Sequence, residues 1–253
     1  MVNAPLHPVP DPAKPLLSVV VPVRNEAENI APLVAEIRAA LAVLAAQGHA
    51  GEIVYVDDGS TDGTAEALRA VAGPDLKVRR HRASCGQSAA IVSGVRSARG
   101  KFIATLDGDG QNDPADIPRL LDRALATHGT VLVAGHRVNR QDSANKKRAS
   151  RWANRIRARL LGDDTPDTGC GLKVFARAKF LEIPHFDHMH RYLPALFLRA
   201  GSGVESVPVN HRPRLRGVSN YGVWDRALVG ITDMLGVMWL QRRGKRPDYA
   251  DTP

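Results

Sequence analysis

Residues 101–114, KFIATLDGDGQNDP, pass from a short apolar run into three aspartates, an asparagine and a glutamine set around two glycines. A calcium loop of the helix-loop-helix kind needs glycine at position six and glutamate at position twelve. Counted from Asp107 those positions hold Asn112 and Pro118, so that reading fails. Asp107 and Asp109 lie two residues apart, which in an extended stretch puts both carboxylates on one side. Two hard oxygen donors suit Mg²⁺ or Mn²⁺, ions that keep open positions for substrate phosphates, and Gln111 continues the spacing as a neutral donor. A metal held there would neutralise a diphosphate and improve it as a leaving group. A plain surface turn competes with this reading for any isolated D-x-D, so the surroundings decide.

Outward from this loop, apolar runs alternate with helical periodicities. LLSVVVPV (16–23) reads as a buried strand, and Ile30, Leu33, Val34, Ile37, Leu41 and Leu44 mark one face of the helix after it. EIVYVDD, LKVRRHR, KFIATLD and TVLVAG predict four more strands; GTAEALRAVA, GQSAAIVSGVRSA and PADIPRLLDRALATH predict the helices between them. Pro114 sits where a helix's first turn tolerates a missing N–H. Strands separated by such helices imply right-handed crossovers and an α/β fold with a mostly parallel sheet covered on both faces. Ligands in these sheets bind beyond the carboxyl ends of the strands. The polar clusters obey that rule: RNE follows the first strand, DDGSTDGT the second, DGDGQND the fourth and GHR the fifth.

In DDGSTDGT (57–64), Thr61 or Asp62 can cap the next helix. Capping leaves Asp57 and Asp58 unexplained, because adjacent carboxylates repel unless a base edge, a ribose hydroxyl or a metal takes them up. PVRNEAEN lacks the glycines of a dinucleotide-binding turn, which excludes a nicotinamide site and equally a sugar-nucleotide pyrophosphorylase.

Beyond about residue 140 the alternation gives way to a basic helix (145–161), a strand-like GLKVFAR, a helix at 190–200, GVESVPVNH and a last helix over 222–241. The expected organisation is a flexible proline-rich leader (1–15), a catalytic domain (16–221), and an amphipathic helix with a basic tail (222–253).

The 253 residues carry a formal charge of +9, with 43% hydrophobic residues. The charge points to an anionic partner and the apolar content to a folded body. Nine basic residues between Arg137 and Arg159 face one acid, Asp142. Arg148, Arg151, Arg155 and Arg159 recur at helical spacing beside an apolar stripe of Trp152, Ile156 and Leu160, which suits an acceptor with both a phosphate and a lipid. A basic nucleic-acid-binding module is the rival from another class; 5% aromatic residues give it few stacking platforms, and the acidic loops oppose it. Cys85 and Cys170 cannot build a disulfide framework, and the N-terminus has no apolar core of a secretion signal.

VVVPVRNEAENI, IVYVDDGSTDGT, GQSAAIVSGVRSARGKFIATLDGDGQNDP, VLVAGHR and DTGCGLKVFAR, in this order, resemble the family 2 glycosyltransferases of GT-A fold, above all the dolichyl-phosphate mannose synthase and polyprenyl-phosphate sugar synthase group. The likeness runs from about Leu16 to Trp239. It implies a GT-A, Rossmann-like sheet with a C-terminal helical extension, and an inverting, metal-dependent hexosyltransferase using a UDP- or GDP-linked sugar and a polyprenyl phosphate. Pro22, Arg24, Asn25, Glu26, Asp57, Asp58, Asp107 and Gly108 would contact the nucleotide sugar; Arg24 stands where many relatives have tyrosine. Asp107, Asp109 and Gln111 would hold Mg²⁺ or Mn²⁺. Arg137 and Arg151 match phosphate-clamping arginines, with Arg148 and Arg155 beside Arg151 on the lipid phosphate. Arg214, Gly217 and Ser219 fit the R-x-x-G-x-S of a closing loop, with Arg214 and Ser219 on the nucleotide sugar, and Asp167 of DTGCG falls near the acceptor and joins Asp109, Arg137 and Arg151 in the implied catalytic set. The alternative within the class is transfer to a saccharide or lipopolysaccharide hydroxyl with Asp167 as base.

VWDRALVGITDMLGVMWL (223–240) carries Asp225, Arg226 and Asp233, which argues against a transmembrane span. Trp224, Leu228, Ile231, Leu235 and Met238 form an apolar face, and QRRGKR follows, as expected of an interfacial helix on an anionic membrane. A docked core or oligomer helix is the other reading. The expectation is a cytoplasmic protein peripheral to the inner membrane face, with a homo-oligomer or a membrane-protein partner left open.

Overall fold

The structure is a computed structural model and describes residues 15–138, 157–213 and 223–244. One seven-stranded sheet carries the chain. Its strands are β1 (Leu17–Val23), β2 (Gly51–Asp57), β3 (Leu76–Arg80), β4 (Phe102–Thr105), β5 (Val131–Arg137), β6 (Lys173–Ala176) and β7 (Gly203–Val209), in the order β3-β2-β1-β4-β6-β5-β7. The pairs β1/β2, β2/β3, β1/β4 and β5/β7 are parallel; β6 runs antiparallel between β4 and β5. The expected α/β sheet is present, and the strand-like GLKVFAR is one of its central strands.

Alternation along the strands sorts side chains to two faces. Leu17, Val19, Val21 and Val23 of β1 join Ile53 and Tyr55 of β2 beneath helices α1 (Ala27–Ala46), α2 (Thr64–Ala70) and α4 (Ile117–Ala126). Helix α1 is the one described helix long and apolar enough to cross a membrane, and Ile30, Leu33, Val34, Ile37 and Leu44 of it are buried in this core. On the other face Val20, Val54, Ile103 and Phe175 pack against α3 (Gln87–Ser97) and the helices Arg177–Glu182 and Leu193–Arg199. Pro114 opens a 3-10 turn that leads into α4, and Asp113 caps it by accepting the Ala115 N–H at 3.0 Å.

The last described helix, Val223–Arg243, docks on this second core through Val237, with Met234, Met238 and Leu240 packed around it. Polar ties flank the contact: Tyr192 Oη donates to Gly230 C=O at 2.8 Å, Gln241 to Leu161 C=O at 2.7 Å, and His188 pairs with Asp233 at 3.1 Å. The apolar face expected of this helix needs correction. Met238 turns inward, while Ile231, Leu235 and Trp239, spaced by four, point outward and are 53%, 57% and 59% exposed. The helix has two apolar stripes, and periodicity alone does not say which one meets the core. The side chains of Trp224 and Leu228 lie outside the described residues.

Candidate active site

At the carboxyl ends of β1 and β2 the loops fasten to one another. Asn25, held at φ 56°, donates its N–H to Ser60 Oγ at 2.9 Å, and its carboxamide oxygen accepts the Thr61 N–H at 2.9 Å. Glu26 N–H donates to Thr64 Oγ1 at 2.9 Å, and Asp62 accepts the Thr64 N–H at 3.0 Å; the N-cap of the helix Thr64–Ala70 is Gly63, not Thr61 or Asp62 as expected, because the helix begins one residue later. Pro22 is buried within β1 and Arg24 is exposed at its end.

Asp57 and Asp58 are tied to other parts of the protein. Asp57 accepts the Ser60 N–H at 2.8 Å and faces Arg80 at 3.2 Å, sealed from solvent. Asp58 receives four donors from the segment after β3: His81 Nδ1 at 2.7 Å and Cys85 N–H at 2.8 Å on one oxygen, Ser84 Oγ at 2.7 Å and Gly86 N–H at 2.9 Å on the other. Burial by itself would raise the Asp58 pKa, but these bonds outweigh it and hold the group below the ordinary carboxylate value. A carboxylate offers about four lone-pair sites. In this arrangement all four hold protein donors, and Asp58 fastens the 81–86 loop. The two adjacent carboxylates do need partners, and the protein supplies them. Ligand atoms of Asp58, His81 and Cys85 lie within 4.8 Å of one another, a metal-like grouping, yet its carboxylate is committed to hydrogen bonds.

Asp107 differs. It stands just past β4, accepts one bond from Gln87 Nε2 at 2.9 Å, and lies so near the 170–171 backbone that a Cβ on Gly171 would fall 2.2 Å from its Oδ2. Burial and then the charge on Asp109 push its pKa up to about 6, with Lys173 and Arg137 pulling the other way. A buried carboxylate held against a second one two residues on forms a donor set that a hard divalent cation would relieve, so the residues fit Mg²⁺ or Mn²⁺. Gln111 gives its N–H to Asp109 Oδ1 at 3.1 Å, and its side-chain Nε2 lies 3.5 Å from the Arg212 carbonyl. A Cβ on Gly108 would meet Val23 Cγ1 at 2.4 Å, so close packing against β1 requires glycine there.

Arg137, at the end of β5, grips Asp167 with both arms of its guanidinium, Nε to Oδ2 at 2.6 Å and Nη2 to Oδ1 at 2.8 Å. Burial by itself would lower the arginine pKa; the Asp167 carboxylate outweighs it and raises the value. The motif reading missed Lys173. Its ammonium is buried on β6 and donates to the carbonyls of Cys170 and Thr168. Burial lowers its pKa, against the attraction of Cys170, Asp107 and Asp167. A lysine inside the apolar strand LKVFA was the signal available. Arg148, Arg151, Arg155, Arg214, Gly217 and Ser219 lie outside the described residues.

Residues 18–183 match the sequence profile described as glycosyl transferase family 2. The chain belongs to glycosyl transferase family 2. Among its relatives, a dodecaprenyl-phosphate galacturonate synthase of Rhizobium johnstonii is 36% identical over 97% of this chain and 73% of its own length. An undecaprenyl-phosphate 4-deoxy-4-formamido-L-arabinose transferase of Edwardsiella ictaluri is 34% identical over 82% of the chain, which spans 63% of that enzyme. The fold is shared with a mannosyltransferase of Pyrobaculum calidifontis solved with GDP-Man and Mn²⁺ (TM-score 0.61, 23% identity, 97% of this chain and 70% of that one). It is shared also with glucosyl-3-phosphoglycerate synthase of Mycobacterium tuberculosis solved with Mn²⁺, UDP and phosphoglyceric acid (TM-score 0.65, 19% identity, 93% and 81%). This family 2 glycosyltransferase therefore has the GT-A fold, with its acidic loops at the expected sheet edge.

Proposed function

We propose that this glycosyltransferase moves a sugar from a UDP- or GDP-linked donor to a polyprenyl phosphate, with inversion, at the cytoplasmic face of a membrane. The observation that carries the acceptor class is the Arg137–Asp167 pair. A sugar hydroxyl needs a general base, and Asp167, held by both arms of an arginine, is a poor one. A lipid phosphate needs none, because its oxygen is already anionic at pH 7. The phosphate oxygen attacks the anomeric carbon, the bond to the diphosphate oxygen breaks with its electron pair, and a nucleoside diphosphate leaves with no proton transferred. The polyprenyl-phosphate relatives support the same class.

Asp107 and Asp109 are the residues to hold Mg²⁺ or Mn²⁺ on the donor diphosphate, with Gln111 beside them. The bound ion supplies charge neutralisation of the leaving group. Gln87 orients Asp107, and Arg137 adds positive charge nearby, so positioning and electrostatics carry the rate. Ile231, Leu235 and Trp239, followed by Arg242 and Arg243, give an outward apolar stripe ending in cations, which suits an anionic lipid surface.

The test is a panel of nucleotide sugars offered with a short polyprenyl phosphate or the matching polyprenol, read by nucleoside diphosphate release. Transfer to the phosphate alone, abolished by Asp109→Ala, is expected. Transfer to the alcohol, or undiminished activity in metal-free buffer, overturns the proposal.

A further inference from the structure

After β7 the chain runs back along the loop that bears the two site carboxylates. Asn112 and His211 form an isolated antiparallel bridge, and Arg212 N–H donates to Gln111 C=O at 2.9 Å. The Arg212 guanidinium donates through Nη2 to Asn112 C=O at 3.0 Å. Its two Nη atoms also grip Glu36 of α1, at 2.9 Å to Oε1 and 2.7 Å to Oε2. Asn112 is buried, and its carboxamide oxygen accepts the Asp107 N–H at 3.2 Å. A continuous path thus joins a core helix, through Glu36 and Arg212, to the backbone of Asp107. On this flank packing is incomplete: a cavity of about 130 Å³ opens between Asn29, Leu33, Asp109, Gly110 and Arg212. Directed bonds, not close packing, hold the loop there.

We infer that Arg212, braced by Glu36, is a positioning residue that sets the spacing of Asp107 and Asp109 and thereby the affinity of the site for a divalent cation. The inference rests on the reading of those two aspartates as metal ligands. A half-exposed ion pair acting only on stability is worth about 0.2–1 kcal/mol and would leave metal binding unchanged. Lysine at 212 keeps the charge but loses the planar fork that spans Glu36 and the Asn112 carbonyl.

The experiment measures Mn²⁺ binding to the full chain from the electron paramagnetic resonance signal of the free ion, with UDP and separately with GDP, alongside the thermal midpoint. Arg212→Lys and Glu36→Gln are each expected to weaken Mn²⁺ binding about tenfold while the midpoint moves by about 2 °C or less. Asp109→Asn is expected to abolish binding. Wild-type Mn²⁺ affinity in both Arg212→Lys and Glu36→Gln overturns the inference, whatever the midpoint does. Should Arg212→Lys fail to fold, Glu36→Gln decides alone, since it removes one charge from a half-exposed position. Wild-type protein that binds no Mn²⁺, or Asp109→Asn that binds it unchanged, removes the metal reading itself and this inference with it.

Discussion

His190 shows how one half-buried side chain in this enzyme sets a pH dependence. Its ring lies against Ser88 at the start of α3, Nδ1 to Oγ at 2.8 Å. Burial, with Arg191, Lys173 and His188 adding positive charge, pushes its pKa down to about 3. An unfolded histidine titrates near 6.5, so between about pH 6.5 and 3 the unfolded chain takes up a proton that the folded chain refuses. Stability contributed at this position is therefore present above pH 6.5 and lost as pH falls, by up to about 1.4 kcal/mol per unit. Denaturant unfolding of the wild type and His190→Asn from pH 6.5 to 4.5 checks this. The wild type is expected to lose stability more steeply, and parallel slopes would contradict it. The acidic pairs were partly legible at this scale. Asp107 and Asp109 stood out by spacing; Asp58 stood out equally, yet its four donors come from residues 23–28 positions away, which no local pattern reveals.

Among the elements, the last described helix carries the clearest division of labour. Val237 and Met238 secure it to the core, and Ile231, Leu235 and Trp239 are left outside. Trp239→Asp is expected to leave the thermal midpoint within about 2 °C and to reduce co-sedimentation with vesicles containing phosphatidylglycerol several-fold. Equal binding by the variant would assign the stripe to something other than lipid. β6 makes the complementary point. GLKVFAR read as strand-like, but its place between β4 and β5, antiparallel to both, depends on backbone pairing with residues about 40 and 70 positions earlier. That placement carries Lys173 beneath Asp107 and brings Asp167 to Arg137.

For the whole molecule, the candidate site gathers the loops after β1, β2 and β4, the end of β5 and the segment before β6, so a ligand there would tie distant parts of the chain. Mn²⁺ with the cognate nucleoside diphosphate at 100 times its Kd adds about 2.7 kcal/mol to stability. For a chain of this size that corresponds to a rise in thermal midpoint of about 5–10 °C. Thermal unfolding of the wild type is expected to show it and Asp109→Asn to lose it; a rise retained in the variant places the ligand elsewhere.

The sequence by itself determined the alternating strands and helices, the collection of acidic loops at one sheet edge, and the family, because each rests on local periodicity or on motifs in order. Only the tertiary structure decided which carboxylates are bonded to distant parts of the protein, which stripe of the last helix faces outward, and that Arg212 and Glu36 join helix α1 to the loop after β4. Those outcomes depend on contacts between residues far apart in the chain, where burial and hydrogen-bond saturation, not residue type, set what a side chain can do.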